Sequence, residues 1–310
     1  MRAIECKQYG AAEHLVLSEV AKPEPKSNEV LIKIRATSVT TSDVLIRGLK
    51  ASPIAKFMVQ LIFGFGKPRN PILGMVSAGV VEAKGAKVTQ YKVGDEVFAY
   101  GSMSPTKRHF GSYADYICLP ENWNIALKPK NRSFEEAAAI PYGGLLASHL
   151  LTKASIKKGN KILIYGASGS IGTMAIQLAK YAGAEVTSVC SSANFDLVKS
   201  LGSDKHIDYK KENAELDLER YHYVFDAVGN SKSSKLKELS KKALLPGGKY
   251  ISIDHGTPLS PKVAFLKLKS LTEKNWIKPV IDRVYPLEQM VEAHQYVEAG
   301  HKRGNVIISL

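Results

Sequence analysis

Cysteine is scarce in this sequence: there are three in 310 residues, Cys6, Cys118 and Cys190. They are widely spaced and form no CxxC pair, so no disulfide framework is expected and a reducing compartment is indicated. The N-terminal stretch MRAIECKQYG turns polar at once, which excludes a secretory h-region there. A cytoplasmic location is therefore predicted, with a removed transit peptide left open.

Long hydrophobic runs are also missing. The longest intense apolar stretch, FMVQLIFGFG over 57–66, is far too short to cross a bilayer. Acidic residues are outnumbered, since 43 Lys and Arg against 29 Asp and Glu give a formal net charge of +14. The lysines are scattered, and no arginine-rich tract is interleaved with aromatic residues. Nucleic-acid binding is therefore not favoured, although the charge leaves RNA or another polyanion open.

The residue pattern changes character along the chain. Short segments bounded by glycine and proline predict a β-rich domain in residues 1–124, in the form of a small barrel or sandwich. From Lys161 onward, strand and helix patterns alternate, which predicts a parallel, doubly wound sheet within residues 125–267. The tail returns to a helix and a closing strand. We therefore predict an α/β protein in which residues 268–310 complete the first domain.

The stretch YGASGSIG joins the first predicted strand of the second domain to its first helix. It matches the glycine-rich dinucleotide turn G-x-G-x-x-G, except that Ala167 replaces the first glycine. In that context the backbone and the helix N-terminus are suited to hold a pyrophosphate. The predicted cofactor contacts here are Gly166, Ser168, Gly169, Ser170, Ile171 and Gly172.

The second predicted strand, within VTSVCSSAN, ends without an acidic residue. An NAD site places a carboxylate at this point for the ribose 2′-hydroxyl, whereas a 2′-phosphate would be repelled by it. Ser191 and Asn194 offer hydrogen-bond donors instead, which favours NADP(H) over NAD(H). The alternative interpretation of Asn194 is that it caps the following helix, NFDLVKSLG.

A set of motifs extends along nearly the whole chain, among them NEVLIKIRATSVTTSD, PILGMVSAGVVEAKG, VGDEVFAYG, GSYADY, AAAIPYGGLLA, YGASGSIGTMAIQLAKYAGAEV and FDAVG. These motifs resemble the medium-chain dehydrogenase/reductase superfamily, in its zinc-free quinone oxidoreductase-like branch. The resemblance implies a Rossmann domain inserted in a GroES-like catalytic domain, and a homodimer. It also implies cofactor contacts from Tyr209, Val228, Gly229 and Ile253.

The positions that bind zinc in other branches of that superfamily are altered here. Zinc-dependent members carry a cysteine where this chain has Thr40 and Thr41, and Gly-His-Glu where it has Gly74, Met75 and Val76. Three isolated cysteines also cannot build the structural four-cysteine lobe. No metal is therefore expected, and hydride transfer from NADPH to a quinone or an α,β-unsaturated carbonyl is the predicted reaction.

Two residues are candidates for the catalytic centre. The resemblance places Thr40 where quinone reductases usually carry asparagine, and Tyr142 before a glycine turn expected to face the cofactor. Each hydroxyl is predicted to donate a hydrogen bond to substrate, with a purely structural role as the alternative. Leu45 and Leu146 depart from the tyrosine and threonine of the family pattern, which leaves the acceptor open.

An apolar segment over 48–70 has no clear place in this pattern. We consider a lid over a bulky substrate, a dimer contact, a membrane-surface contact through 51–67, which the sequence does not favour, and a helix buried against its own domain. Two alternative functions also stay open: a zinc-free alcohol or aldehyde oxidoreductase, and a non-catalytic NADPH-binding protein that binds RNA or another polyanion.

Overall fold

The chain divides into two units: Met1–Pro141 together with Ile281–Leu310, and Tyr142–Val280. The computed structural model describes residues 1–49, 53–102, 108–231, 234–255 and 262–310. Its strands are β1 Arg2–Cys6, β2 Leu15–Glu19, β3 Glu29–Val39, β4 Val76–Lys84, β5 Glu96–Tyr100, β6 Tyr116–Pro120, β7 Asn124–Leu127, β8 Lys161–Tyr165, β9 Glu185–Cys190, β10 Lys205–Asp208, β11 Tyr221–Asp226, β12 Leu244–Ser252, β13 Ile281–Pro286 and β14 Asn305–Ser309. Its α-helices are α1 Thr41–Gly48, α2 Pro53–Phe63, α3 Phe134–Ala138, α4 Pro141–Ala154, α5 Ser170–Tyr181, α6 Phe195–Ser200, α7 Lys235–Lys242, α8 Lys262–Glu273 and α9 Met290–Glu298.

The first unit is built around a seven-stranded sheet in the order β13-β14-β3-β4-β5-β7, with β6 pairing β3. Strands β1 and β2 form a separate two-stranded sheet. One apolar core joins the two chain ends, because Ile4 and Val39 from the N-terminal part pack in the same cluster as Met290 and Ile308. The C-terminal segment therefore completes the core of the N-terminal unit, since neither part buries its apolar face alone.

The second unit contains a five-stranded sheet in the order β10-β9-β8-β11-β12, and every pairing within it is parallel. The first strand of the unit, β8, lies at the centre, so the strand order reverses between β8 and β11. In doubly wound folds, ligands bind at the carboxyl ends of the strands beside this reversal. The predicted α/β architecture, with a parallel doubly wound sheet inserted in a β-rich unit, is observed.

The unit boundaries differ from those that the sequence pattern predicted. Ser133 is the N-cap of α3, where its hydroxyl and the Glu136 side chain form a capping box, and the helix packs against β3 and β4 of the first unit. At the other boundary, the Gln177 side chain of α5 hydrogen-bonds both the N–H and the carbonyl of Lys278, at 2.7 and 3.1 Å. Residues 125–141 therefore belong to the first unit and residues 268–280 to the second.

In the part of the chain that the structure describes, none of the helices combines the length and the apolar character that crossing a bilayer requires.

Candidate cofactor site

Every predicted cofactor residue follows the carboxyl end of one of the five parallel strands. The glycine turn follows β8, Ser191 follows β9 and Tyr209 follows β10. Val228 lies in the loop just after β11, Gly229 begins the short 3₁₀ helix that follows, and Ile253 follows β12. The parallel register places these strand ends at a single edge of the sheet. Residues far apart in the chain are thereby gathered at one edge.

The glycine turn holds α5 tightly against the end of β8. A Cβ added at Gly172 would lie 2.3 Å from the carbonyl oxygen of Gly166, so only glycine allows this approach. Gly169 is less crowded, because a Cβ added there would meet the Gly166 carbonyl oxygen at an ordinary contact distance of 3.5 Å. Gly169 is the N-cap of α5 and no side chain caps that helix. The first-turn N–H groups are therefore suited to bind a phosphate.

The end of β9 forms a small polar cluster with the glycine turn. The Asn194 Nδ2 donates hydrogen bonds to the Oγ of Ser168 at 3.2 Å and to the Oγ of Ser191 at 3.1 Å. Asn194 occupies the N-cap position of α6, but its side chain makes no capping hydrogen bond. Its Oδ1 is buried and unpartnered among the described residues. The capping interpretation of the Asn194 side chain is therefore wrong, and three predicted cofactor residues, Ser168, Ser191 and Asn194, form one cluster.

A residue that the sequence interpretation missed, Asp208 at the end of β10, supports this cluster. Its carboxylate accepts hydrogen bonds from the backbone N–H of Ser192 at 3.1 Å and of Lys210 at 2.8 Å. Burial pushes the pKa of the Asp208 carboxyl upward, but these hydrogen bonds and the nearby Lys210 charge hold it below its ordinary value. Tyr209 is 42% exposed beside it, so its ring is available to a ligand.

The loop after β11 is fixed by a buried ion pair. Asp226 is 1% exposed, accepts hydrogen bonds from the N–H groups of Val228 and Gly229, and pairs with the Lys237 Nζ at 2.7 Å. The same ammonium group donates to the Gly229 carbonyl, and the Tyr250 hydroxyl donates to Asp226 at 2.6 Å. Burial alone would raise the pKa of Asp226, but hydrogen bonds from Lys237 and Tyr250 bring it below its ordinary value. Hydrogen bonds to Asp226 thus fix the backbone of Val228 and Gly229, and the bond from Lys237 fixes the Gly229 carbonyl as well.

Tyr142 lies near the start of α4, next to the glycine turn. The following residue, Gly143, touches that turn directly, because an added Cβ would lie 2.3 Å from the Ser170 carbonyl oxygen. Tyr142 itself is 8% exposed. The structure therefore places the backbone of this candidate beside the expected cofactor position, and its catalytic role stays a prediction.

Thr40 lies in the other unit, at the N-cap of α1. Its hydroxyl accepts a hydrogen bond from the Asp43 N–H and donates one to the Asp43 carboxylate at 2.6 Å. Burial raises the pKa of the Asp43 carboxyl to about 6, against the lowering effect of the hydrogen bonds from Thr40. The single hydroxyl proton of Thr40 is thus already used in this arrangement. For Thr40 to donate to a substrate, as predicted, its hydrogen bond to the Asp43 carboxylate must be replaced by one to the substrate.

The positions that carry zinc ligands in other members do not fit a metal here. The Thr40 hydroxyl is part of a capping box, while Met75 and Val76 offer a buried thioether and an aliphatic side chain. Across the described ranges, no three His, Cys, Asp or Glu side chains lie together in a way that could hold a metal ion.

The parallel doubly wound sheet, its glycine turn and its uncapped helix N-terminus define a dinucleotide-binding protein. Family models agree with both units: "Alcohol dehydrogenase GroES-like domain" matches residues 26–130, and two models described as "Zinc-binding dehydrogenase" match residues 170–278 and 262–308.

Three known proteins illustrate the similarity. The chain is 34% identical to a 2-methylene-furan-3-one reductase of Solanum lycopersicum, over 99% of this chain and 79% of that protein. It is 32% identical to a chloroplastic NADPH-dependent alkenal/one oxidoreductase of Arabidopsis thaliana, with the same coverage. A quinone oxidoreductase structure from Coxiella burnetii superposes with a TM-score of 0.82 at 27% identity, covering 100% of this chain and 99% of that one. The chain belongs to the medium-chain dehydrogenase/reductase superfamily, and the resemblance predicted from its motifs is confirmed.

Proposed function

We propose that this protein is an NADPH-dependent reductase that transfers hydride to α,β-unsaturated carbonyls or quinones. The observation that carries the proposal is the end of β9, which itself bears no acidic residue and where Ser191, Asn194 and Ser168 form one hydrogen-bonded cluster. The names of the relatives support the same chemistry, because they include an NADPH-dependent alkenal/one oxidoreductase and a quinone oxidoreductase.

The chain's own residues account for how the nucleotide would be held. The open backbone at Gly169 and the N-terminus of α5 accept the pyrophosphate. Ser191 provides an uncharged hydroxyl donor for the 2′-phosphate, and Asn194 can add a second by exchanging one of its two Nδ2 hydrogen bonds to Ser168 and Ser191. The unpartnered Asn194 Oδ1 can accept from the ribose or adenine. The loop of Val228 and Gly229, fixed by Asp226, bounds the site after β11. When bound, NADPH supplies the hydride.

The acceptor class follows from the groups available to polarise it. Because Thr40, Met75 and Val76 are not zinc ligands, the residues of this site favour an acceptor that is already electrophilic, such as an alkene conjugated to a carbonyl. Hydrogen bonds to the carbonyl oxygen are then enough to stabilise the developing enolate. Thr40 and Tyr142 are the proposed donors, and solvent can supply the final proton.

A substrate panel read by NADPH absorbance tests the proposal. Purified protein is offered enones, enals and quinones with NADPH or NADH, beside alcohols with NADP⁺. We expect turnover of at least one enone, enal or quinone class, with NADPH preferred. The double variant Ser191→Asp, Asn194→Asp should lose most NADPH-dependent turnover, because its carboxylates repel the 2′-phosphate. Oxidation of alcohols alone, or salt-sensitive RNA binding displaced by NADPH without turnover, would contradict the proposal in favour of the two alternatives.

We also propose that the protein acts as a homodimer in the cytoplasm, as the family resemblance and the cysteine content suggest. Light scattering of the purified protein tests the first part, with a molar mass near twice 33.9 kDa expected. Fractionation of cells expressing the full chain tests the second.

A further inference from the structure

Helix α2 and the turn after it expose a continuous apolar surface, which we call the apolar patch: Phe57, Met58, Leu61, Ile62 and Phe65. These side chains are 54%, 48%, 48%, 50% and 58% exposed. The four helical residues are spaced so that they share one face of α2. Phe65 extends that face, because its ring centroid lies 6.0 Å from that of Phe57. Soluble monomers rarely expose contiguous apolar patches unless the surface binds something.

The other side of the helix is anchored to its own unit. Phe63 packs against the core cluster of the first unit. Its ring meets that of Phe110 edge-on, with 5.4 Å between the ring centroids. The chain then turns back, with the Arg69 N–H donating to the Phe63 carbonyl at 2.6 Å. The structure thus anchors α2 through the half-buried Phe63, while the apolar patch is turned to solvent.

The charges around the patch have one sign. Between Asp43 and Glu82 the sequence contains no acidic residue, whereas Lys56, Lys67 and Arg69 are exposed next to the patch. The chain as a whole carries a net charge of +14. An apolar helix face flanked by cations is complementary to a surface that is apolar inside and anionic at its rim. This combination is characteristic of helices that lie in the interface of an anionic membrane.

A second copy of the chain fits this surface less well. In a two-fold symmetric contact, the same patch meets itself, so the cations of one copy would face those of the other without acidic partners from this segment. A stable protein interface also buries roughly 800 Å² and 20–30 residues on each side, considerably more than five side chains.

We propose that the apolar patch docks the protein peripherally on an anionic lipid bilayer, with Lys56, Lys67 and Arg69 at the headgroups. The proposal does not depend on the reductase activity, since it rests on α2 and the turn after it. Binding draws on burial of the patch in the acyl boundary and on attraction to the charged headgroups.

Vesicle flotation tests this proposal with the full-length protein. Vesicles of POPC with about 30 mol% POPG, and vesicles of POPC alone, are compared at about 0.05 and about 0.5 M NaCl. We expect binding to the anionic vesicles, weakened by salt. The double variant Leu61→Gln, Ile62→Gln should lower the partition coefficient by roughly tenfold or more, because two inserted apolar side chains become polar. Lys56→Gln, Lys67→Gln should lower it by roughly fivefold per lysine on anionic vesicles.

A matched control uses the same chemistry elsewhere on the surface. Leu216 and Val263 are 80% and 78% exposed, so Leu216→Gln, Val263→Gln should leave vesicle binding unchanged. Thermal melts and NADPH binding show whether each variant is folded. No binding to anionic vesicles, or equal binding by the Leu61/Ile62 variant and the wild type, would overturn the proposal. If the Leu61/Ile62 variant has half the molar mass of the wild type in solution, the patch is a contact between copies and the proposal is overturned. If that variant changes only the KM for soluble substrate, the patch is a lid and the proposal is likewise overturned.

Discussion

The side-chain amide of Asn194 donates a hydrogen bond to the Ser168 hydroxyl at 3.2 Å, joining the end of β9 to the glycine turn after β8. The two residues are 26 positions apart in the chain, and parallel pairing of their strands brings them together. The groups proposed for the 2′-phosphate and for the pyrophosphate are therefore physically linked.

A double-mutant cycle tests this link. Ser168→Ala and Asn194→Ala should each weaken NADPH binding, and together they should cost less than the sum of the single effects. The expected coupling is about 0.5–1.5 kcal/mol, typical of one hydrogen bond within a network. Fluorescence titration of NADPH on the four proteins measures it. Strict additivity would show that the two side chains act independently.

The glycine turn predicts opposite effects for two similar substitutions. Gly172→Ala should destabilise the fold by about 1–3 kcal/mol, because the new methyl group would lie 2.3 Å from the Gly166 carbonyl oxygen. Gly169→Ala should leave stability nearly unchanged, since its nearest neighbour is 3.5 Å away, but should weaken NADPH binding by blocking the open backbone. Urea denaturation and NADPH titration separate the two effects. An unstable Gly169→Ala, or one that binds NADPH normally, would contradict this account of the turn.

The buried pair of Asp226 and Lys237 predicts an asymmetric mutant series. Lys237→Met should cost about 3–5 kcal/mol of unfolding free energy, because it leaves a buried carboxylate without its cation. The double variant Asp226→Asn, Lys237→Met should recover part of that loss. The pKa of Asp226 is lowered in the fold, so the contribution of its charge is present near neutral pH and is lost on acidification through the folded-state pKa. Equal destabilisation of the single and double variants at neutral pH would argue against the pair.

His294 gives the first unit a separate pH dependence. The imidazole is fully buried in α9, and burial lowers its pKa to about 3. The unfolded chain therefore takes up a proton that the fold excludes, so stability falls as the pH drops below about 6.5. When the pH is lowered from about 7 to about 5, the unfolding free energy of His294→Leu should rise by about 2 kcal/mol relative to that of the wild type. The raised pKa of Asp43 acts in the opposite direction but is common to both proteins. Parallel stability curves for the two proteins would contradict the assignment.

Local pattern was enough to find the residues that follow directly from strand ends. Alternating β and α segments fix where each parallel strand stops, and Ser191 and Asn194 could be predicted for that reason. Lys237 and Tyr250 could not, because they reach Asp226 from distant segments and neither stands in a recognisable motif. The same limit explains the boundary at α3, whose packing partners β3 and β4 lie far back in the chain. The Thr40 hydroxyl shows a third case, in which a helix cap uses the proton that a catalytic role would need.

The most direct test of the central claim is the affinity for NADPH and NADH of the wild type, Ser191→Asp and Ser191→Ala. We predict that the wild type binds NADPH more tightly, and that Ser191→Asp raises the Kd for NADPH by roughly tenfold or more while that for NADH is unchanged or lower. Ser191→Ala, which removes one neutral donor, should show a smaller loss for NADPH alone. Equal wild-type affinity for both nucleotides, or equal weakening of both by Ser191→Asp, would contradict the assignment of this strand end to the 2′-phosphate.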